Sequence, residues 1–169
     1  MNILGISAYY HDSAAALLKD GELVAAAQEE RFSRIKFDHR FPTASVEYCL
    51  KEAGLEAREL DYIVFYEKPL PKFQRILLSQ LHTFPKSWRH FREAMLAWFG
   101  QKLWVKGDIQ AQFPDYPIER ILFVDHHLSH AASAAFCAPF EDMAVLTLDG
   151  VGEWTTTAMG TACGDFETG

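Results

Sequence analysis

At 169 residues, with 49% apolar and 14% aromatic side chains, the chain is long enough for one ordinary domain with a substantial core. A net charge of -7 and a pI near 5.4 argue against a nucleic-acid binder taken as a whole. Three widely spaced cysteines argue against a disulfide framework, and the N-terminal residues have no signal-peptide pattern; with no apolar run of membrane-spanning length, the expectation is a soluble, cytoplasmic protein without membrane contacts.

Residues 3–7 read as a buried strand. A second strand, 13–18, follows the polar turn Tyr10-His11-Asp12. Lys19-Asp20-Gly21 is a hairpin turn signal, and 22–27 is a third strand. Pro42-Thr43 opens a helix whose apolar positions are Ala44, Val46, Tyr48, Leu50 and Ala53, and Gly54 ends it. Residues 62–66 and 121–124 read as a fourth and a fifth strand, and 127–136 as a helix.

Between the fourth and fifth strands, residues 68–117 carry eight Lys/Arg against three Asp/Glu, so the remainder of the chain holds a net -12. This insertion also holds nine aromatics, among them Trp88, Trp98 and Trp104. Leu77, Leu78, Leu81, Met95, Leu96 and Phe99 fit two amphipathic helices broken near Pro85. Such a pair packs on its own lobe or on a twin subunit in a homodimer, or presents a surface to a polar substrate, a partner or a membrane face.

From Met143 the opening pattern recurs: a strand at 145–148, a glycine-rich turn, a strand at 154–161, and a turn at Cys163-Gly164-Asp165. A β-β-β-α-β-α unit started twice is the ground plan of the ribonuclease-H-like, actin-type ATPase fold. The expected class is therefore α/β. Residues 1–140 would form a first lobe with 68–117 as a helical insertion, and 141–169 the first hairpin of a second, truncated lobe. An isolated hairpin is marginal in water, so this one should pair with the first lobe, another chain or a missing remainder.

His126 and His130 lie one helical turn apart on one face, close enough for two imidazoles to share a transition-metal ion. Asp149, at the end of the strand Val-Leu-Thr-Leu, can add a carboxylate and leave open positions. The same spacing also serves two hydrogen-bonded histidines at a helix start, or an anion site there. His127, on a neighbouring face, reads as a supporting residue. Asp149-Gly150-Val151-Gly152-Glu153 is either an ordinary hairpin turn or a wall whose backbone N–H groups approach phosphates. His11, in the equivalent turn of the first unit, can act as acid, base or hydrogen-bond donor near neutral pH; the alternative is a plain turn capped by Asp12 and Ser13. The run Glu29-Glu30-Arg31-Phe32-Ser33-Arg34-Ile35-Lys36 can bind anionic groups or form a solvated face.

Taken together, Leu4-Gly5-Ile6, Tyr10-His11-Asp12-Ser13-Ala14-Ala15-Ala16-Leu17, the Glu29-to-Lys36 block, His126-His127-Leu128-Ser129-His130-Ala131-Ala132-Ser133-Ala134 and the Asp149-to-Glu153 turn resemble the N-terminal part of O-carbamoyltransferases of the NodU/CmcH type. That resemblance implies an actin-type domain followed by a domain that activates carbamoyl phosphate with ATP as carbamoyl adenylate. The carbamoyl group then passes to a hydroxyl of a sugar, antibiotic or Nod-factor-like small-molecule acceptor. It further implies that His126, His130 and Asp149 ligate iron, Fe(II) or another divalent transition metal. His11 and Lys36 would handle the carbamoyl group or acceptor as catalytic residues, and Gly150, Val151, Gly152 and Glu153 would line the nucleotide site. Because family members are much longer, the expected partner is the C-terminal remainder of the same protein, and the 169-residue chain alone is expected to be inactive. Two rivals stand beside this: a threonylcarbamoyl-type tRNA-modifying protein, which the acidic balance disfavours, and a non-catalytic metal- or nucleotide-binding module.

Overall fold

Asp20 and Gly21, at φ 53° and 86°, make the tight turn between the second and third strands. The computed structural model describes residues 1–150 and 152–163, and within these the side chains of all but residues 97, 101 and 102. The described chain divides into two compact units, residues 1–66 with 99–123, and residues 67–98 with the segment from 124 onward.

The first unit is built on a five-stranded mixed sheet of β1 (Asn2–Ser7), β2 (Ala14–Lys19), β3 (Glu22–Gln28), β4 (Tyr62–Phe65) and β5 (Ile121–Phe123). The spatial order is β3-β2-β1-β4-β5. β1 runs antiparallel to β2, as β2 does to β3, whereas β1, β4 and β5 are parallel to one another. Register places Leu4 opposite Leu17 and Ile63, and Phe65 opposite Ile6 and Phe123. Alternation along each strand therefore sends Leu4, Ile6, Ala15, Leu17, Ile63 and Phe65 into one continuous core. Each large member of that set stabilises the unit by roughly 1.5–3 kcal/mol through burial.

A single helical turn, α1 (Glu30–Ser33), precedes α2 (Thr43–Ala53), which packs on β2 and β3 through Val46 and Cys49. Gly54 ends α2 at φ 64°; its N–H and that of Leu55 close on Lys51 and Leu50 carbonyls. Pro42, at the N-cap position of α2, has no side-chain acceptor to offer. Glu29 supplies one from outside the helix, its carboxylate accepting from the N–H groups of Ala44 (3.2 Å) and Ser45 (2.9 Å) and from Ser45 Oγ (2.8 Å).

The insertion departs from the two-helix expectation. It contains α3 (Pro69–His82) and α4 (Trp88–Ala97), separated around Pro85 as anticipated, then a π-helical turn (Trp98–Lys102) and a third helix, α5 (Val105–Gln112). Val105 and Ile109, one turn apart, are buried in the first unit's core. Gly107 and Asp108, poor helix formers, hide this helix from a reading of propensity.

The second unit contains α3, α4, α6 (His126–Ala135) and a separate two-stranded sheet of β6 (Asp142–Leu148) and β7 (Thr157–Cys163). The hairpin runs in unbroken antiparallel register from Asp142 opposite Cys163 to Leu148 opposite Thr157. β7 begins three residues later than residue 154, because Trp154 and its neighbours belong to the connecting turn. Cys163, expected to open a turn, instead ends β7, paired with Asp142; the rest of that turn and the third strand lie outside the described residues. α6 covers one face of the hairpin, which gives it the packing an isolated pair lacks. Among the described residues no helix is long and apolar enough to cross a membrane.

Candidate metal centre

α6 begins one residue earlier than the expected 127, so His126 is already helical, and Asp125 precedes it in extended conformation at φ -63°, ψ 137°. His126 and His130 then meet edge to face, one turn apart, with ring centroids 4.7 Å apart, planes at 84° and Nε2 atoms 3.2 Å apart. Asp149 follows the last residue of β6, where its N–H donates to the Thr156 carbonyl across the hairpin (2.8 Å). Its Oδ2 lies 2.5 Å from His126 Nε2 and 3.6 Å from His130 Nε2. His126 is buried, Asp149 half-buried and His130 exposed. The cluster is thus walled on one side and open to solvent on the other.

These three residues can each offer one ligand atom, all within 4.8 Å of one another. Ligand atoms about 2.0–2.2 Å from a single tetrahedral cation lie roughly 3.3–3.6 Å apart. The 3.2 and 3.6 Å separations are close to that spacing, and the 2.5 Å contact is a direct hydrogen bond that a bound cation would replace. Two imidazoles and one carboxylate suit a divalent transition metal, and three protein ligands leave positions for water or substrate.

Four further contacts brace the cluster. Lys68, at the start of α3, donates from its backbone N–H to Glu153 Oε1 (2.6 Å) and from Nζ to Asp125 Oδ2 (2.9 Å). The carboxylate of Asp125 holds the Lys68 ammonium above its ordinary pKa. His127 lies within hydrogen-bonding distance of Thr147 Oγ1 and of the Thr155 carbonyl, both at 2.7 Å. Gly152 sits against that strap: a Cβ there would lie 1.8 Å from the Thr155 oxygen and 3.0 Å from His127 Nε2. Glu153, expected beside a phosphate, accepts from Lys68, and Gly150 is exposed. Val151 lies outside the described residues.

Glu67 is a site residue that sequence reasoning missed. It is buried, its Oε2 is paired with Lys72 Nζ, and the same oxygen lies 3.6 Å from His126 Nδ1. The available signal was an acid just past the end of a strand and before a proline-initiated helix, Glu67-Lys68-Pro69.

His11 and Lys36 belong to the first unit. Their loops are tied together by backbone hydrogen bonds from Tyr9 N–H to His39 O and from Ser13 N–H to Asp38 O, both 2.8 Å. Tyr9, Asp12, Arg34 and Phe37 are all left-handed, at φ 70°, 48°, 59° and 57°. Non-glycine residues held this way cost about 1–3 kcal/mol each and tend to cluster at functional sites. His11 Nδ1 pairs with Asp12 Oδ2 at 2.9 Å, and Lys36 Nζ sits over the Phe37 ring, 4.8 Å from its centre. Next to them Asp38 is buried against Arg40, whose guanidinium holds the carboxyl well below the usual carboxylate range.

Residues 2–165 match the family model described as carbamoyltransferase N-terminus. The chain belongs to that family. It is 53% identical over 164 residues to an uncharacterised protein of Synechocystis sp., covering 94% of this chain and 27% of that protein. Nodulation protein NolNO of Sinorhizobium fredii is 34% identical, with 92% of this chain and 22% of the relative covered. Nodulation protein U of the same species is 29% identical, with 83% and 25% covered. The chain thus spans about a quarter of the length of the curated relatives it matches.

Proposed function

We propose that this chain is the N-terminal part of an ATP-dependent O-carbamoyltransferase. The observation that carries the reading is the convergence of His126, His130 and Asp149 in a chain that matches the carbamoyltransferase N-terminus over residues 2–165. The proposed reaction joins the carbamoyl carbon to an acceptor hydroxyl oxygen as its bond to AMP breaks; the hydroxyl proton leaves to a base. Carbamoyl phosphate is the carbamoyl source and gives up its phosphate as carbamate is released by water; the carbamate oxygen then bonds to the α-phosphorus of ATP as pyrophosphate leaves, which gives carbamoyl adenylate as the intermediate. The strand order β3-β2-β1-β4-β5, three antiparallel strands followed by two parallel ones, supports reading the first unit as a ribonuclease-H-like lobe of the actin type. On the same reading the hairpin β6–β7 begins a second lobe.

His126, His130 and Asp149 would hold Fe(II) or another divalent transition metal, which when bound supplies Lewis-acid polarisation of a carbonyl or phosphoryl oxygen. His11, exposed and steadied by Asp12, is the group proposed to take the hydroxyl proton or donate to the developing oxyanion. Lys36 offers a cation to the carbamoyl or acceptor group from the adjoining strained loop. The Gly150, Val151, Gly152 and Glu153 turn is proposed to run along the nucleotide. Glu153 in that role keeps its backbone clamp on Lys68 and acts by shaping the turn.

The test is product formation by the purified full-length protein, of which this chain is proposed to be the N-terminal part, with carbamoyl phosphate, ATP and a panel of hydroxylated acceptors, alongside metal analysis. AMP and O-carbamoyl product in equal amounts, with the metal lost in H126A, support the reading. A protein that carries no transition metal and releases no AMP with any acceptor refutes it, and tRNA retained at moderate salt would favour the tRNA-modifying relative instead.

A further inference from the structure

Glu67 and Lys72 form a buried ion pair directly behind a histidine of the candidate metal centre. One carboxylate oxygen, Oε2, meets Lys72 Nζ on one side and His126 Nδ1 on the other. The opposite nitrogen of the same ring, Nε2, is the atom turned toward Asp149 and His130. An imidazole that coordinates through Nε2 carries its proton on Nδ1, and whatever faces Nδ1 sets tautomer and ring orientation. At 3.6 Å the Glu67 contact is longer than a hydrogen bond and acts electrostatically. Lys72 gives the buried carboxylate a hydrogen-bonded partner, yet a pair so shielded is weak support for stability, since apolar replacements are often neutral. Its place behind the ring accounts for it better.

We infer that Glu67, held by Lys72, is a positioning residue for His126: it selects the Nδ1–H form, fixes the ring plane and strengthens Nε2 as a donor to a divalent transition metal. This rests on the metal reading above. An ion pair that only anchored the start of α3 would leave metal binding unchanged.

Titration of the metal-free protein with Co(II), followed by visible absorption, tests it. E67Q should weaken Co(II) binding by about 10–100-fold and shift the absorption bands. Because E67Q leaves the buried Lys72 ammonium without that carboxylate, E67Q/K72M is measured as well. It carries no unmatched charge and should melt near the parent temperature while showing the same loss. E67D, which keeps the carboxylate and the pairing, should recover part of the affinity. In the Zn(II)-loaded, nitrogen-labelled protein, the His126 Nδ1–H resonance should move in E67Q. Parent-like Co(II) affinity in E67Q/K72M overturns the inference and leaves the metal reading intact. A parent protein that takes up no Co(II), indistinguishable from H126A, removes both.

Discussion

Replacing Glu29 with alanine should be among the most damaging single changes in the first unit. The carboxylate serves the N–H groups of Ala44 and Ser45, the second and third residues of α2, and the Ser45 hydroxyl. Loss of an N-terminal cap costs about 0.5–2 kcal/mol. Ser45 is fully buried, so water cannot replace the lost acceptor, and each polar group stranded there adds roughly 1–3 kcal/mol. Relief of the buried charge offsets part of this, leaving about 3–4 kcal/mol for E29A. E29Q keeps one acceptor oxygen and should cost about half as much. At a urea dependence of about 2 kcal/mol per molar, the E29A midpoint falls by roughly 1.5–2 M. Urea titration by circular dichroism gives the midpoints, and amide exchange over residues 43–46 localises the effect. If E29A costs under about 1 kcal/mol, or E29Q equals E29A, the carboxylate is not the cap described and the reasoning fails.

Other outcomes follow from the same geometry. A divalent transition metal at about 100 times its dissociation constant should add roughly 2.7 kcal/mol to the second unit, seen as a melting shift of roughly 10–20 °C; in H130A and D149A that shift should vanish. For Asp38 the folded carboxyl is held low by Arg40, so its contribution is complete above the unfolded pKa near 4 and fades as pH falls toward the folded value. The stability gap between the parent and D38N, from urea midpoints between about pH 2 and 6, should therefore be flat above that pKa and close below it. Cys49 is buried with its thiol pushed up by desolvation, whereas Cys137 and Cys163 are exposed; Ellman's reagent at mildly alkaline pH should titrate two thiols rapidly and the third only on unfolding.

Much of the first unit was readable because its strands announce themselves by alternation. Leu4, Ile6, Leu17 and Phe65 sit at every second position, and Asp20-Gly21 and Gly54 mark the turns with the backbone freedom those turns require. The His126 and His130 pair was readable for a similar reason, since one helical turn is a local rule, and Asp149 stood out as an acid ending an apolar strand. Glu67 was not, because its meaning depends on Lys72 and His126, and the latter contact joins distant parts of the sequence. Glu29 looked like one acid in a charged run, whereas its role lies in a helix that starts on a proline and lacks its own cap. α5 stayed hidden because two core residues in a segment with Gly107 and Asp108 make too faint a periodicity.

The chain visits its units in alternation: residues 1–66, then 67–98, then 99–123, then the remainder. Val105, Ile109 and Ile121 complete the core that Leu4 and Leu17 begin, and β5 supplies the last strand. A ribosome making this protein therefore cannot release a finished first unit until residue 123 has cleared the exit tunnel. By then α3 and α4 have long been exposed without α6 and the hairpin, their companions in the second unit. Leu81, Phe84, Trp88 and Leu96, on α3, α4 and the turn between them, are exposed even in the finished fold, so this stretch is where a nascent-chain chaperone would have most to hold throughout that interval.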